Sequence, residues 1–296
     1  MTTVLDAEIA RHLADAGLDA AHIADLVQRT IAEDLDGGVD VTSVATVPAE
    51  QRGVLDLVAR QDGVTCGAWV AAAVFDLVSD HDVTIDVRVA DGSTVQPGDV
   101  IVSIAGRTRD LLLGERPALN FLGHLSGVAT ATHAWAERLD GTGARVRDTR
   151  KTTPMLRTLE KYAVRCGGGV NHRMSLSDAA LVKDNHIIAA GGVREAFAAV
   201  RERFPGVPVE VEVDDNEQLR AVLDAGADLV LLDNYSVDEL REAVAITAGR
   251  ARLEASGGLT LDDAKEVGST GVDFLAVGAL THSSRVLDIG ADLRDA

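Results

Sequence analysis

The chain of 296 residues is long enough for one large α/β domain or for two smaller domains with sizeable cores. Its 46% hydrophobic and 25% charged residues are ordinary for a globular protein, which excludes disordered and fibrous classes. A formal net charge of −19 and an aromatic content of 3% argue against nucleic-acid binding, because that function needs basic surfaces and stacking platforms.

Three features predict a cytoplasmic protein without a membrane partner. Cys66 and Cys166 form no C-x-x-C pair and suit a reduced compartment better than a disulfide scaffold. The first fifteen residues carry acidic groups and no cationic segment before an apolar run, so no signal peptide is expected. No segment of 18 apolar residues is free of charge, so no membrane-spanning helix is expected either.

The first part of the chain is predicted to be a mixed α/β unit. Helical spacing of apolar residues, strict alternation and turn residues define its elements. They are helices over 5–16 and 22–32, a strand over 54–59, a helix over 68–78, strands over 83–89 and 99–104, and a helical stretch from 108 to about 139. Pro117 and Gly127 are expected to break or kink that last helix.

From residue 144 onward, short apolar strands alternate with helical segments. Strands are predicted over 144–147, 179–182, 209–213, 229–232, 252–255 and 274–277, with helices near 155–164, 193–204, 216–225, 237–247 and 261–267. After the second strand the spacing is roughly 20 to 30 residues, the length of one βα unit. Six such strands indicate a parallel barrel or a doubly wound sheet. No glycine fingerprint follows the first strand, which favours a barrel, closed or incomplete.

Polar residues stand at the C-terminal end of every predicted strand. In α/β barrels, catalytic groups come from this rim, and phosphate often binds in glycine-rich loops there. One such residue alone has an ordinary explanation, such as a helix N-cap for Asp233, but six polar strand ends in register favour a site. Strand by strand, they are Asp148, Thr149, Arg150 and Lys151; Lys183, Asp184, Asn185 and His186; Glu210 and Glu212; Asp233 and Asn234; Ser256, Gly257 and Gly258; Gly278 and Ala279.

The segment from Asp148 to His186 is a basic island in an acidic chain, with seven Arg or Lys against four Asp or Glu. Arg157, Lys161 and Arg165 follow helical spacing and are interpreted as a solvated helix face. The remaining basic residues fit no helical stripe and predict a pocket for a ligand with more than one negative charge. They are Arg150, Lys151, His172, Arg173 and Lys183.

Two carboxylates on adjacent strands, Glu212 and Asp233, have three possible uses in such a pocket. They neutralise it, they hold Mg²⁺ through its waters or accept hydrogen bonds from sugar hydroxyls, or they stabilise a positive charge that develops on a ribose ring. Basic groups for phosphates, combined with carboxylates for a cationic sugar carbon, indicate transfer of a glycosyl group. Residue chemistry alone yields this reaction type without a substrate.

An ordered set of motifs over nearly the whole chain resembles the quinolinate phosphoribosyltransferase family, which is one of the type II phosphoribosyltransferases. The motifs are ED at 33–34, DVT at 40–42, GERPALN at 114–120, SGVAT at 126–130, DTRKTTP at 148–154, GGGVNHR at 167–173, KDNH at 183–186, EVEV at 210–213, LDN at 232–234, EASGG at 254–258 and VGAL at 277–280.

The resemblance implies an N-terminal α/β sandwich domain over 1–123, completed by the tail 283–296, and an open, incomplete α/β barrel of about six to seven strands over 124–282. It also implies a homo-oligomer, a dimer or a hexamer, in which one subunit's N-terminal domain covers its neighbour's barrel mouth. The implied reaction joins quinolinate to phosphoribosyl pyrophosphate with Mg²⁺ as cofactor. It releases pyrophosphate and CO₂ and yields nicotinate mononucleotide for NAD synthesis.

The resemblance carries over site residues onto matching positions of this sequence. For quinolinate they are Arg116, reaching in from the neighbouring subunit, and Thr149, Arg150, His172, Arg173 and Lys183. For phosphoribosyl pyrophosphate they are Lys151, Lys183, Glu212, Asp233, Ser256, Gly257, Gly258, Val277, Gly278 and Ala279. Lys151, Glu212 and Asp233 are the implied catalytic residues, and Glu212 and Asp233 are the implied Mg²⁺ ligands, directly or through water or substrate.

Three other interpretations stay open at this point. The first is a sister enzyme of the same family that accompanies molybdenum transport, which is expected to lose some diacid-binding arginines. The second is a phosphosugar aldolase or isomerase with Lys183 as a Schiff-base lysine. The third is a non-catalytic binding protein, which should lack members of the set. Arg116, Arg150 and Arg173 are all present, and the completeness of the set favours the enzyme.

Overall fold

The computed structural model describes residues 4–295. These residues divide into two compact units. The first comprises 4–131, 158–168 and 284–295, and the second comprises 132–157 and 169–283. Within the described part of the chain, none of the helices combines the length and the apolar character that a membrane span requires. The domain boundaries expected at 123 and 282 stay a prediction.

The N-terminal half contributes ten elements before residue 139. They are α1 (Ala7–Asp15), α2 (Ala20–Leu35), α3 (Val41–Thr46), β1 (Arg52–Ala59), β2 (Gly63–Val64), α4 (Ala68–Val78), β3 (Val83–Val87), β4 (Thr94–Val95), β5 (Val100–Arg107) and α5 (Thr108–Arg138).

The rest of the chain supplies the alternating elements and a final strand. They are β6 (Arg145–Arg147), α6 (Arg157–Cys166), β7 (Ala180–Val182), α7 (Asp184–Ala190), α8 (Val193–Arg203), β8 (Val209–Val213), α9 (Asn216–Asp224), β9 (Leu229–Asp233), α10 (Val237–Thr247), β10 (Arg252–Ser256), α11 (Ala264–Gly268), β11 (Phe274–Ala276), α12 (Ala279–His282) and β12 (Ile289–Asp295).

The first unit is built on a four-stranded antiparallel sheet in the order β12-β1-β5-β3. The C-terminal strand β12 pairs with β1 along its whole length, from Ile289 opposite Ala59 to Asp295 opposite Gly53. The alanine-rich helix α4 is buried along most of its length, because its small side chains allow close packing on every side. The last residues of the chain therefore complete the sheet that the first hundred residues begin.

The DVT motif at 40–42 has a structural role in this unit. The Asp40 carboxylate caps α3 by accepting the backbone N–H groups of Thr42 at 3.1 Å and Ser43 at 3.0 Å. Its hydrogen bonds with the side chain and backbone of Ser43 hold the pKa of the Asp40 carboxyl below its usual range. The motif thus fixes the start of a helix.

Of the predicted break or kink in the long helix, the break is wrong, because α5 runs through both Pro117 and Gly127, and the kink stays a prediction. Pro117 is buried and is followed by the fully buried Ala118, so packing offsets the backbone hydrogen bond that proline removes. Gly127 serves close packing: a Cβ there would lie 2.0 Å from the carbonyl oxygen of Arg285. Tertiary contacts override the two breaker residues here.

The second unit contains a six-stranded parallel sheet in the order β6-β11-β10-β9-β8-β7. Each strand lies within one residue of its predicted bounds at either end. β6 and β7 are consecutive in the chain but occupy opposite ends of this order, and the described residues contain no pairing between them. The expected α/β barrel, open and incomplete, is confirmed.

Strand register brings the polar strand ends together. Glu212 of β8 and Glu254 of β10 are both in register with Leu231 of the strand between them. Two residues further toward the carboxyl ends, and so on the same face, Asp233 pairs with Ser256. Residues in register on neighbouring strands point to the same face of a sheet, so these side chains converge on the barrel interior.

Candidate active site

A cavity of about 430 Å³ lies in the second unit at the carboxyl ends of the strands. Nine residues that the sequence predicted for the site line it: Thr149, Arg150, Lys151, His172, Arg173, Lys183, Glu212, Asp233 and Ser256. Four further lining residues had no predicted role: Leu181, Leu231, Glu254 and Ala276.

The basic wall of the cavity carries excess positive charge. Nε of Arg150 is buried and has no hydrogen-bond partner among the described residues. Burial and the neighbouring charge of Arg150 lower the pKa of the Arg173 guanidinium. Arg173 donates one bond to the carbonyl oxygen of Ala179 at 3.0 Å, which holds its side chain in place. Two neighbouring, partly buried guanidinium groups that repel each other favour an anionic ligand. A carboxylate matches the geometry of their N–H groups.

Arg157 joins the two loops that carry these arginines. Its guanidinium donates to Oγ1 of Thr152 at 3.1 Å, to the carbonyl oxygen of Met174 at 3.1 Å and to that of Arg150 at 3.5 Å. Through these three hydrogen bonds, the partly buried Arg157 holds the two loops together.

The interpretation of Arg157, Lys161 and Arg165 as a solvated helix face is wrong. Lys161 is fully buried and Arg157 is partly buried, so only Arg165 of the three is exposed. Helical spacing predicts which residues share a face, but it does not say whether that face meets water or protein.

Two carboxylates, Glu212 and Asp233, form a second wall of the cavity. Nζ of Lys183 forms an ion pair with Oε2 of Glu212, whose side chain is only 12% exposed. The Asp233 carboxylate accepts a hydrogen bond from Nδ2 of Asn234 at 2.7 Å. Nζ of Lys183 is engaged by this carboxylate, whereas a Schiff-base lysine must present its nitrogen to a carbonyl carbon. This contact disfavours the aldolase interpretation.

A buried ionic network forms the floor of the cavity. The Arg147 guanidinium lies 2.5 Å from Oε2 of Glu254 and 3.6 Å from Oε1 of Glu210. Nε2 of His172 lies 2.8 Å from Oε2 of Glu210. Burial and the negative charge of Glu210 raise the pKa of the Glu254 carboxyl to about 8. Glu254 is therefore largely protonated at pH 7.

His172 and Asp148 position the neighbouring loop. Nδ1 of His172 accepts the backbone N–H of Arg173 at 2.7 Å, so both ring nitrogens have partners inside the protein. The buried Asp148 carboxylate accepts the backbone N–H of His172 at 2.8 Å and Nδ2 of Asn171 at 2.6 Å. These bonds hold the His172 ring against the cavity, and its predicted contact with a substrate carboxylate stays a prediction.

The glycine segments lie beside the cavity. Gly257 has φ of +109°, and a Cβ there would lie 2.2 Å from Oδ1 of Asn234. A Cβ on Gly278 would lie 3.1 Å from Cδ of Lys151, and Oγ1 of Thr281 donates to the carbonyl oxygen of Lys151 at 2.8 Å. The structure does not place the predicted phosphate ligands Gly257, Gly258, Val277, Gly278 and Ala279 among the residues that line the cavity.

Arg116 lies on α5 in the first unit. Its side chain is exposed, and among residues 4–295 it makes no ion pair. His124, which also lies on α5, is bonded to the buried carboxylate of Glu160 at 2.8 Å. His282 contacts the hydroxyl of Ser283 at 2.6 Å. The two histidines therefore have local structural partners, while Arg116 is available for an external one.

The donor set fits Mg²⁺ only with help from a ligand. Glu212 and Asp233 offer carboxylate oxygens, which Mg²⁺ prefers. Within the described residues, the one group of three candidate metal ligands is His172, Glu210 and Glu254 at the floor of the cavity, where the Arg147 guanidinium already supplies positive charge. An ion near Glu212 and Asp233 must take most of its oxygens from water and a diphosphate.

Comparisons with known proteins agree over nearly the whole chain. Residues 128–292 match the family model described as quinolinate phosphoribosyl transferase, C-terminal domain, and residues 40–126 match that of the N-terminal domain. A nicotinate-nucleotide pyrophosphorylase (carboxylating) of Mycobacterium leprae is 49% identical over 285 residues, covering 95% of this chain and 100% of that protein.

Two further relatives extend the match. A probable nicotinate-nucleotide pyrophosphorylase (carboxylating) of Bacillus subtilis is 40% identical and covers 90% of this chain and 92% of its own. The crystal structure of NadC from Streptococcus pyogenes superposes with a TM-score of 0.89 at 40% identity, covering 93% of this chain and 97% of that one.

Proposed function

The chain belongs to the quinolinate phosphoribosyl transferase family, and from this premise we propose that it transfers the phosphoribosyl group of phosphoribosyl pyrophosphate to quinolinate with loss of CO₂. The products are nicotinate mononucleotide, which serves NAD synthesis, and pyrophosphate. One observation supports this reaction above all: a single cavity is lined both by Arg150 and Arg173 and by the carboxylates Glu212 and Asp233.

The arginine wall suits a planar diacid. Arg150 and Arg173 can each form a two-pronged hydrogen bond with a carboxylate, which relieves their mutual repulsion and gives the buried Nε of Arg150 a partner. Thr149 and Lys183, which is ion-paired with Glu212 of the carboxylate wall, also line the cavity and can contact the diacid. The presence of these arginines also disfavours the molybdenum-linked sister enzyme.

The carboxylate wall suits the sugar. When the bond between C1′ and the diphosphate weakens, positive charge develops on the ribose ring, and Glu212 and Asp233 can stabilise it electrostatically. Lys151 can balance the charge of the departing diphosphate. A bound Mg²⁺ would neutralise diphosphate charge next to Glu212 and Asp233.

The decarboxylation needs no base from the protein. The ring nitrogen of quinolinate forms a bond to C1′ while the C1′–O bond to pyrophosphate breaks. The nitrogen is then cationic, and when CO₂ leaves, the electron pair of the C2–carboxylate bond stays on C2, where the adjacent positive charge stabilises it. C2 finally takes a proton from solvent. The role of the chain is to bind and orient the two anionic substrates.

Assembly and location complete the proposal. The exposed Arg116 supports a homo-oligomer in which this residue reaches the neighbouring subunit's cavity. The two free cysteines support a reducing, cytoplasmic location.

The test is a turnover assay with Mg²⁺ and phosphoribosyl pyrophosphate, in which quinolinate and nicotinate are supplied separately. We expect nicotinate mononucleotide and CO₂ from quinolinate only. No product from quinolinate would overturn the proposal.

The same assay tests one residue of the site. Lys151→Ala is expected to lower kcat/KM by about 10²-fold or more, because it removes a charge that faces the departing diphosphate. The matched control is Lys265→Ala on α11, which removes an exposed lysine outside the cavity lining and should retain full turnover. Near wild-type activity of Lys151→Ala, with unchanged thermal unfolding, would remove Lys151 from the site.

A further inference from the structure

The two cysteines, 100 positions apart in the chain, are neighbours in the first unit. Each thiol shifts the pKa of the other, which places the two side chains close together. Gly92 lies between their backbones: its N–H donates to the carbonyl oxygen of Thr65 at 2.8 Å, and a Cβ on Gly92 would lie 4.0 Å from Cβ of Cys166. The absence of a side chain at residue 92 thus leaves room for the close approach of Cys166.

The two thiols differ in accessibility. Cys66 is fully buried ahead of α4, and its backbone N–H donates to the hydroxyl of Ser126 at 2.9 Å. Cys166 is the last residue of α6 and is partly exposed. A small reagent from solvent can therefore reach the Cys166 sulfur, whereas the Cys66 sulfur is shielded from solvent.

The two thiols also differ in acidity. The hydrogen bond from Cys66, supported by Tyr162 and the positive charge of Arg165, lowers the pKa of the Cys166 thiol, although burial and Asp91 act in the opposite direction. Burial raises the pKa of the Cys66 thiol well above its usual value, and its hydrogen bond to Cys166 adds to that rise. Accessibility and acidity therefore both indicate Cys166 as the thiol that reacts first, because the more exposed sulfur is also the one that forms a thiolate more readily.

We propose that Cys66 and Cys166 form a reversible dithiol–disulfide site, at which Cys166 reacts first with a peroxide and Cys66 then closes the disulfide. This site is independent of the barrel cavity and of the reaction proposed for it.

The chemistry balances as a two-electron oxidation. The Cys166 thiolate attacks one oxygen of hydrogen peroxide, the O–O bond breaks, and the hydroxide that leaves takes a proton to become water. Cys166 is then a sulfenic acid. The Cys66 sulfur attacks the Cys166 sulfur, the S–O bond breaks, and the leaving hydroxide takes the Cys66 proton. Two thiols become one disulfide, and the peroxide becomes two waters; an added dithiol reverses the change by exchange.

The test treats the full-length protein with hydrogen peroxide and maps its peptides by mass spectrometry without reduction. We expect a Cys66–Cys166 cross-linked peptide, an intact mass lower by two hydrogens, and full reversal by dithiothreitol. Sulfinic acid at Cys166 without a cross-link, or a disulfide only between two chains, would overturn the proposal.

Two single variants assign the order of reaction. In Cys66→Ser, Cys166 should accumulate as a sulfenic acid that dimedone captures. In Cys166→Ser, the buried Cys66 should stay unmodified under the same treatment. Equal modification of Cys66 in that variant would contradict the assignment of Cys166 as the first site. The wild-type peptide map decides the proposal even where a variant folds poorly.

Discussion

Glu254 lies at the floor of the cavity close to two other acidic residues, Glu210 and Asp148. The single positive charge of Arg147 cannot neutralise all three carboxylates. Arg147 contacts Glu254 and Glu210, and His172 contacts Glu210. The proton that Glu254 retains keeps this buried group from carrying a second uncompensated charge beneath anionic substrates. A protonated carboxyl in the core thus belongs to the electrostatics of the site.

This proton predicts how stability depends on pH. The pKa of the Glu254 carboxyl is about 8 in the folded protein and near 4.5 in the unfolded chain, so the folded state binds more protons between these values. The stabilising contribution is complete below the lower value and is lost as pH rises through the higher one, with a slope of at most about 1.4 kcal/mol per pH unit.

Glu254→Gln should flatten this slope, because glutamine stays neutral. Urea unfolding at about pH 6, 7 and 8 measures the difference between variant and wild type. We expect the free energy of unfolding of the variant to rise relative to wild type as pH increases. Glu202→Gln, at an exposed position of α8, is the matched control and should follow the wild-type slope. A parallel slope in Glu254→Gln would contradict the raised pKa.

At the scale of elements, the turns after β9 and β10 are interlocked. The N–H of Asn234 donates to the carbonyl oxygen of Ser256 at 2.9 Å, and the Asn234 side chain lies over Gly257. Asn234 itself has a positive φ of 57°. Two strand ends that carry predicted ligands are therefore held in one arrangement by a contact that only glycine at 257 permits.

Gly257→Ala should displace Asn234, because the new Cβ would overlap its side-chain oxygen. We expect a loss of about 1–3 kcal/mol in the free energy of unfolding and a raised KM for phosphoribosyl pyrophosphate. Gly258→Ala is the comparison: its φ of +57° lies in the left-handed region, but a Cβ there meets no atom within 4 Å. Its loss of stability should be smaller, about 1 kcal/mol. Equal losses in the two variants would contradict the role of the Asn234 contact.

At the scale of the whole molecule, the proposed function gives the site one residue from a second copy of the chain. The described arginines that line the cavity are Arg150 and Arg173, whereas Arg116 lies on α5 and has no ion pair within residues 4–295. A shared site couples turnover to assembly, so subunits with different defects should complement each other.

Arg116→Ala and Lys151→Ala should each be inactive alone and active when their subunits are mixed. Random exchange in a dimer makes half of the molecules hybrids, and each hybrid has one intact site, so about a quarter of wild-type activity should return. The measurement is turnover after the subunits are separated and reassembled together, with each variant reassembled alone as the control. A mixture no more active than its parents would contradict a site built across subunits.

Several elements escaped prediction because they have no periodicity of their own. The two-residue strands β2 and β4 and the four-residue helix α12 are too short for an apolar repeat to appear. α7 begins at Asp184 directly after the Lys183 strand end, and no residue of it is buried, so no amphipathic pattern marks it. By contrast, all six barrel strands are apolar runs in a regular βα spacing and were predicted within one residue.

The sequence by itself determined the barrel strands, the polar residues at their C-terminal ends and the family. These features depend on local hydrophobic patterns and on ordered motifs. Only the tertiary structure decided which charges meet. The structure pairs Arg147 with Glu254 and brings Cys66 close to Cys166, although no local sequence period relates the members of either pair. It also buries Lys161, whose helical spacing alone did not say whether it meets water. Such contacts arise from packing between distant segments of the chain. Packing determines how far each charged group is removed from water, which groups surround it and therefore its protonation state.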